Sequence, residues 1–225
     1  MLADPDCVGN LPGDDAARLF DPEYWGKRRE VTGGRGAAWF IEAGDRQWVL
    51  RHYRRGGFVA RFCTDAYVWL GEERVRAFVE WRLLSLLAQR GLPVPRPVAA
   101  RYSRAGVLYR CDLITERIMD AEPLSGALGR GVLAESVWRG VGGVIARMHG
   151  EGVDHADLNA HNLLLDPRGA VSVIDFDRGR VRAPGVWRAG NLQRLQRSLE
   201  KISRGLPPDR YSPQAWDWLM AGYGA

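Results

Sequence analysis

Several things are scarce in this chain, and each scarcity closes off a class of protein. There are three cysteines, Cys7, Cys63 and Cys111; an odd, widely spaced set is no disulfide framework and fits a reducing compartment. No apolar run approaches the roughly 18 residues of a membrane-spanning helix. The opening residues MLADPDCVGNLPGDD are acidic where a secretory leader is basic, so a cytoplasmic location is expected. No internal repeat or low-complexity tract is visible. Lysine is nearly absent: only Lys27 and Lys201 occur, and arginine carries almost all the positive charge.

What remains is ordinary for a globular protein. The 225 residues are 46% hydrophobic and 26% charged, enough for one domain or two tightly joined lobes with a real core. The net charge is +5 and is unevenly spread. The first two dozen residues are mostly acidic, whereas 178–210 are rich in arginine. A basic surface suits a polyanionic partner such as nucleotide phosphates, nucleic acid or anionic lipid, without choosing between them.

The most informative stretch is His155-Ala156-Asp157-Leu158-Asn159-Ala160-His161-Asn162, followed by Val171 to Asp177 (VSVIDFD). It reads H-x-D-x-x-x-x-N and then D-F-D. Phosphoryl transfer needs a carboxylate to orient an attacking hydroxyl and accept its proton. It also needs a carboxamide and a second carboxylate to hold Mg²⁺ against nucleotide phosphates. Asp157 suits the first task, Asn162 and Asp175 the second. Leu163 to Leu165 and Val171 to Ile174 read as short buried strands joined by a turn at Asp166-Pro167-Arg168-Gly169, which returns Asn162 and Asp175 to one end. The histidines match no zinc-binding spacing, and His155 reads as an orienting residue rather than a proton carrier.

The rest of the chain can be arranged around that stretch. Thr32-Gly33-Gly34-Arg35-Gly36 is a glycine-rich turn entering an apolar strand; Gly34 and Gly36 would let backbone N–H groups approach phosphate oxygens, although a plain hairpin turn has the same composition. The next strand, Gln47 to Tyr53, carries Arg51 where a kinase usually places its phosphate-binding lysine, and neither lysine of the chain can fill that position. Arg51 is either a phosphate ligand or an exposed strand arginine. A helix is expected from Glu72 to Arg90, with Val75, Phe78, Val79, Leu83, Leu86 and Leu87 inward. Glu80 on it either pairs with Arg51 or faces solvent.

Strands are expected around 98–102 and 107–114. Thr115 to Ile118 reads as a crossing between lobes, where the backbone of Glu116 and Ile118 would meet an adenine edge. Ser136 to His149 is a second helix, ended by Gly150, which delivers the chain to the catalytic loop. Helices from Asn191 to Ser203 and from Pro213, capped by Ser212, complete the chain. The expectation is an α+β, two-lobed protein-kinase-like fold. Its N-terminal arm at 1–29 is anchored by Phe20, Tyr24 and Trp25, with a β-rich N-lobe at about 30–115 and a small helical C-lobe at about 119–225. There is no A-P-E segment and little room for a long activation loop, which points to a small-molecule or lipid-linked acceptor.

The segments GRGAAWF (34–40), WVLRHYRRGG (48–57), GLPVPRPVAAR (91–101), DLITERI (112–118), HADLNAHNLLLD (155–166) and IDFDRGR (174–180) resemble the bacterial 3-deoxy-D-manno-octulosonic acid (Kdo) kinases, relatives of the lipopolysaccharide heptose kinases. The resemblance covers most of the chain and implies an arginine in the strand position of Arg51. It implies ATP and Mg²⁺ as cofactors, with the 4-hydroxyl of Kdo on a lipid A precursor as acceptor, in lipopolysaccharide core assembly. It further implies a peripheral protein on the anionic cytoplasmic face of the inner membrane. Asp157 would then be the base or orienter, Asn162 and Asp175 the metal ligands. Asp177, in place of the glycine of D-F-G, is left between a role near the sugar and a loop hydrogen bond. Arg54, Arg55, Arg178 and Arg180 would meet the acceptor's charges, with Phe58 and Phe62 either at the bilayer boundary or in a packed loop.

Three other readings stay open on sequence alone: another sugar or aminoglycoside phosphotransferase, a nucleotide-binding pseudokinase scaffold, and a nucleic-acid binder. No stacking motif or reading helix supports nucleic acid as a partner, and no obligate protein partner is evident.

Overall fold

A computed structural model describes residues 1–8, 18–31, 38–54 and 65–225. Gly34 and Gly36 of the glycine-rich turn lie outside the described residues, as do Arg55, Phe58, Phe62 and Cys63. The chain forms two compact units, one of Met1–Ser85 with Pro95–Arg117, the other of Leu86–Val94 with Ile118–Ala225.

The first unit is built on an antiparallel sheet. Its strands are β1 (Leu2–Ala3), β2 (Arg28–Val31), β3 (Ala38–Ala43), β4 (Arg46–His52), β5 (Tyr67–Val68), β6 (Pro97–Ala105) and β7 (Leu108–Glu116). The order is β1-β6-β7-β4-β3-β2, with β5 beside β7. A single turn of helix, α1 (Pro5–Val8), follows β1. Strand side chains alternate between faces, so Trp48 and Leu50 of β4 point one way and Val49 and Arg51 the other. The Trp48 side is covered by the amino-terminal segment: Leu19, Phe20 and Trp25 bury themselves against Ile41, Trp48 and Leu50. Trp25 meets Trp48 edge-on at 5.6 Å between ring centres, and its indole N–H donates to the Leu19 carbonyl at 3.0 Å.

The helix expected from Glu72 begins as a single 3-10 turn (Glu72–Arg74) and becomes α2 (Arg76–Gln89) after Val75. Gly91 closes it in the left-handed region (φ 68°): its N–H donates to Ala88 O and that of Leu92 to Leu87 O, the two bonds of a Schellman motif. Ala77, Phe78, Leu84 and Leu87 are buried, but Val79, expected inward, is 39% exposed. The buried face belongs instead to Glu80 one residue on, and 100° of rotation separates the two.

The second unit is mainly helical: α3 (Leu124–Arg130), α4 (Glu135–Gly150), α5 (Trp187–Ser203) and α6 (Pro213–Tyr223). Short strands β8 (Glu122–Pro123), β10 (Leu163–Leu165) and β11 (Val171–Val173) form one antiparallel ribbon, and β9 (Val153–Asp154) with β12 (Arg180–Val181) another. Helices α4 and α6 cross with almost no separation. A methyl on Gly142 would overlap the Leu219 carbonyl oxygen, and one on Gly222 would overlap that of Arg139. Gly150 does not end α4 as expected. It is helical, Glu151 caps the last turn, and Gly152 takes the left-handed conformation (φ 73°) that the reversal requires.

A β-rich unit built on an antiparallel sheet and a helical unit holding a β-ribbon make the α+β, two-lobed protein-kinase-like fold.

Candidate active site

In the first unit the alternation of β4 sends Arg51 to the side of α2, where it forms an ion pair with Glu80. The Glu80 side chain is 2% exposed and that of Arg51 23%. Tyr53 donates its hydroxyl proton to the same carboxylate, accepts a hydrogen bond from the Arg51 guanidinium at 2.9 Å, and lies under that guanidinium at 4.6 Å. A carboxylate this buried requires partners for its lone pairs, and two donors on one oxygen supply them. Arg51 is thereby fixed in direction. Strand β7 ends at Glu116, whose N–H donates to the Arg96 carbonyl at 2.8 Å and whose side chain accepts from the Cys7 thiol. Burial and the nearby Asp4 carboxylate push that thiol's pKa up. Ile118 begins the long stretch of the second unit.

In the second unit the His155–Asn162 stretch is a tight loop between β9 and β10, held mainly by its own polar groups. Both Asn159 and Asn162 donate their side-chain amides to one carbonyl, that of Asp157, at 2.8 and 3.0 Å. The Asn159 side-chain oxygen accepts from the His161 N–H at 2.9 Å, and the Leu158 N–H closes onto His155 O at 2.9 Å. Asn162 is buried, while the Asp157 side chain is 50% exposed. Beyond the loop, Leu163 pairs with Val173, and the Ile174 N–H donates to Asn162 O at 2.9 Å. The ribbon therefore returns the chain to Asn162 one residue before Asp175. Asp175 has φ 65°, rare for a non-glycine residue and tolerated best by Asp and Asn, so the chain turns sharply there.

His155 is a structural part. Its Nε2–H donates to Ile174 O at 2.9 Å, its backbone N–H donates to the Asn191 side chain at 3.1 Å, and its ring packs on Phe176 at 4.6 Å. Burial lowers its pKa and favours the neutral ring, with the proton on Nε2 and, among the described residues, no partner at Nδ1. It ties the loop to the strand before Asp175.

Four residues that matter here were not singled out from the sequence. Asp154 is buried and accepts from Asn191 at 3.0 Å and Arg182 at 3.0 Å, with Arg180 at 3.6 Å. The first of these bonds joins β9 to α5 and the other two join it to β12 and the residue after it, and they commit Arg180, which was expected to meet the acceptor. On α5, Asn191, Arg194 and Ser198 all grip the His155–Asn162 loop. Ser198 Oγ accepts from the Ala160 N–H at 3.2 Å, and Arg194 meets the Asp157 carboxylate at 3.2 Å. Their spacing (i, i+3, i+7) is one helix face, and a polar face adjoining the Leu195–Leu199 core stripe was the available signal.

One carboxylate (Asp175) and one carboxamide (Asn162) are hard oxygen donors that suit Mg²⁺, which takes few protein ligands and completes its shell with phosphate and water. Among the described residues no group of three or more His, Cys, Asp or Glu side chains is placed to hold a metal by itself.

A fold of this kind, with two amides fixed to the backbone carbonyl of one acid and a second acid returned by a ribbon, is that of the kinase-type phosphotransferases. The chain belongs to the lipopolysaccharide kinase (Kdo/WaaP) family, whose model matches residues 23–223. It is 51% identical over 187 residues to the 3-deoxy-D-manno-octulosonic acid kinase of Xylella fastidiosa (strain M12), covering 82% of this chain and 75% of that one. The Stenotrophomonas maltophilia (strain K279a) protein of the same name is 50% identical over 190 residues, with the same coverage. That of Xanthomonas campestris pv. campestris (strain B100) is 49% identical over 192 residues, covering 83% and 76%. Among solved structures, the Cydia pomonella granulovirus kinase PK-1 matches with a TM-score of 0.46 and 13% identity, over 76% of this chain and 58% of that one.

Proposed function

We propose that this chain transfers the γ-phosphoryl group of ATP to the 4-hydroxyl of the Kdo sugar on a lipid A precursor, in lipopolysaccharide core assembly. The observation that carries the reading is the double anchoring of the Asp157 carbonyl by Asn159 and Asn162, in a chain about half identical to proteins named for this sugar. That anchoring holds the backbone of Asp157 still while its side chain stays open to a ligand.

Asp157 orients the acceptor hydroxyl and takes its proton as the new O–P bond forms and ADP leaves. Asn162 and Asp175 are the residues that would hold Mg²⁺. When bound, the metal neutralises charge on the nucleotide phosphates. Arg51, held in place by Glu80, directs a guanidinium at the α- and β-phosphates, and the backbones of Gly34 and Gly36 contribute N–H donors. Glu116 and Ile118 offer backbone groups to the adenine edge. A lipid-linked acceptor implies a peripheral protein at the anionic inner-membrane surface; among the described residues no helix is long and apolar enough to cross a membrane.

The test is to incubate purified protein with ATP, Mg²⁺ and Kdo-lipid precursor and to locate the new phosphate by tandem mass spectrometry. One phosphate on the Kdo 4-hydroxyl is expected. Phosphate on another sugar position, or transfer only to unrelated sugars, would overturn the reading.

A further inference from the structure

Helix α5 does more than brace the loop. Looking down its axis, Asn191, Arg194 and Ser198 face the catalytic stretch, and the adjoining strip carries Arg197, Lys201 and Arg204. With Arg194 these lie at i, i+3, i+7 and i+10, a band of cations about 80° wide at 100° per residue. All four are exposed. Arg194 has an acidic partner, and it is Asp157. No carboxylate pairs with Arg197, Lys201 or Arg204 among the described residues. Elsewhere in this unit arginines are mostly committed: Arg180 and Arg182 to Asp154, Arg139 to Glu135, Arg130 to Glu122. From the arginine paired with Asp157, three cations with no carboxylate partner among the described residues therefore continue along α5 to its C-cap.

The Arg194–Asp157 pair is also unusual for a candidate base. It is a single contact of 3.2 Å with half of each side chain in water, so it is weak and exchangeable. While it holds, a guanidinium occupies the place where an acceptor must approach. An acceptor carrying its own oxyanion close to the hydroxyl could take Arg194 in a stronger, two-pronged contact and leave Asp157 free.

We propose that the Arg194–Arg197–Lys201–Arg204 band of α5 is the acceptor-binding track, and that Arg194 exchanges its contact with Asp157 for the carboxylate of the acceptor sugar. The other three cations hold phosphate groups carried further along the same lipid. This rests on the reading of the protein as a kinase for an acidic, lipid-linked sugar. The track selects acceptors with an anion near the hydroxyl, and occupancy by the correct acceptor uncovers the base.

Steady-state kinetics test it, with Kdo-lipid dispersed in neutral detergent so that no anionic bilayer contributes. For Arg197→Gln/Lys201→Gln/Arg204→Gln, acceptor KM is expected to rise at least about tenfold at low salt, while ATP KM moves less than about twofold. For wild type, the carboxyl methyl ester of the acceptor should be used about tenfold less well than the acid. Arg194→Gln should lose that preference, and Arg194→Lys should recover part of it. If the triple variant keeps wild-type acceptor KM, or Arg194→Gln still prefers the acid by the wild-type ratio, the track is wrong and the sugar-kinase reading stands. If wild type phosphorylates no Kdo acceptor, that reading falls and takes the track with it.

Discussion

Two arginine–carboxylate pairs in this molecule have the same chemistry and opposite surroundings. Glu80 is 2% exposed, shares one oxygen between Arg51 and the Tyr53 hydroxyl, and sits on a packed helix face. Asp157 is 50% exposed and meets Arg194 through one contact at the rim of a loop. A buried pair is hard to break because either partner left alone is an unsolvated charge, whereas an exposed pair gives up almost nothing when water or a ligand replaces a partner. The first geometry suits a group that must point one way throughout a reaction. The second suits a group that must change partners during it.

The largest effect expected is on turnover. Asp157→Ala should lower acceptor-dependent kcat by about 10²–10⁴-fold, measured by phosphate transfer to Kdo-lipid, with the circular dichroism spectrum unchanged. Next comes the buried pair. Glu80→Ala strands Arg51 and Tyr53 and should cost about 3 kcal/mol in urea unfolding, whereas Arg194→Gln should cost less than about 1 kcal/mol. Equal losses in the two variants would break the distinction between the pairs.

A buried histidine sharpens the same contrast through pH. His149 is buried, with Nδ1 at 2.8 Å from the Tyr223 hydroxyl, and burial lowers its pKa to about 4. Below the ordinary value of 6.5 the unfolded chain binds a proton that the folded one refuses. Stability from this residue is therefore complete above pH 6.5 and is lost as pH falls towards 4, by up to about 3 kcal/mol. His52 runs the other way. Its hydrogen bond to Asp112 outweighs burial and raises its pKa, so its contribution is present below 6.5 and is lost as pH rises through the higher folded value. His149→Gln should flatten the acid limb of a stability–pH curve and His52→Gln, by less, the neutral limb.

Much of this was legible in the residues. The turn at Asp166 to Gly169 and the apolar runs beside it announced the β10–β11 ribbon, because a turn flanked by buried strands has few alternatives. The Arg51–Glu80 pair was one of two readings that a carboxylate on the border of a helix stripe left open, and the burial of Glu80 decides for it. The grip of α5 on the loop was not legible, because Asn191, Arg194 and Ser198 lie more than 30 residues from their partners and only tertiary packing sets their rotation. Gly152 was passed over for Gly150 because two glycines in a row of three give one stop signal, and the left-handed turn decides between them. Helix α3 (Leu124–Arg130) was missed because seven residues with two glycines have no period to read.

The most direct measurement is single-turnover transfer of the γ-phosphoryl group from ATP to Kdo-lipid by wild type and Asp157→Asn, with ATP affinity determined on the same samples. Transfer should slow by about 10²-fold or more in the variant while ATP binding is retained. Transfer at the wild-type rate without that carboxylate would contradict Asp157 as the residue that receives the proton.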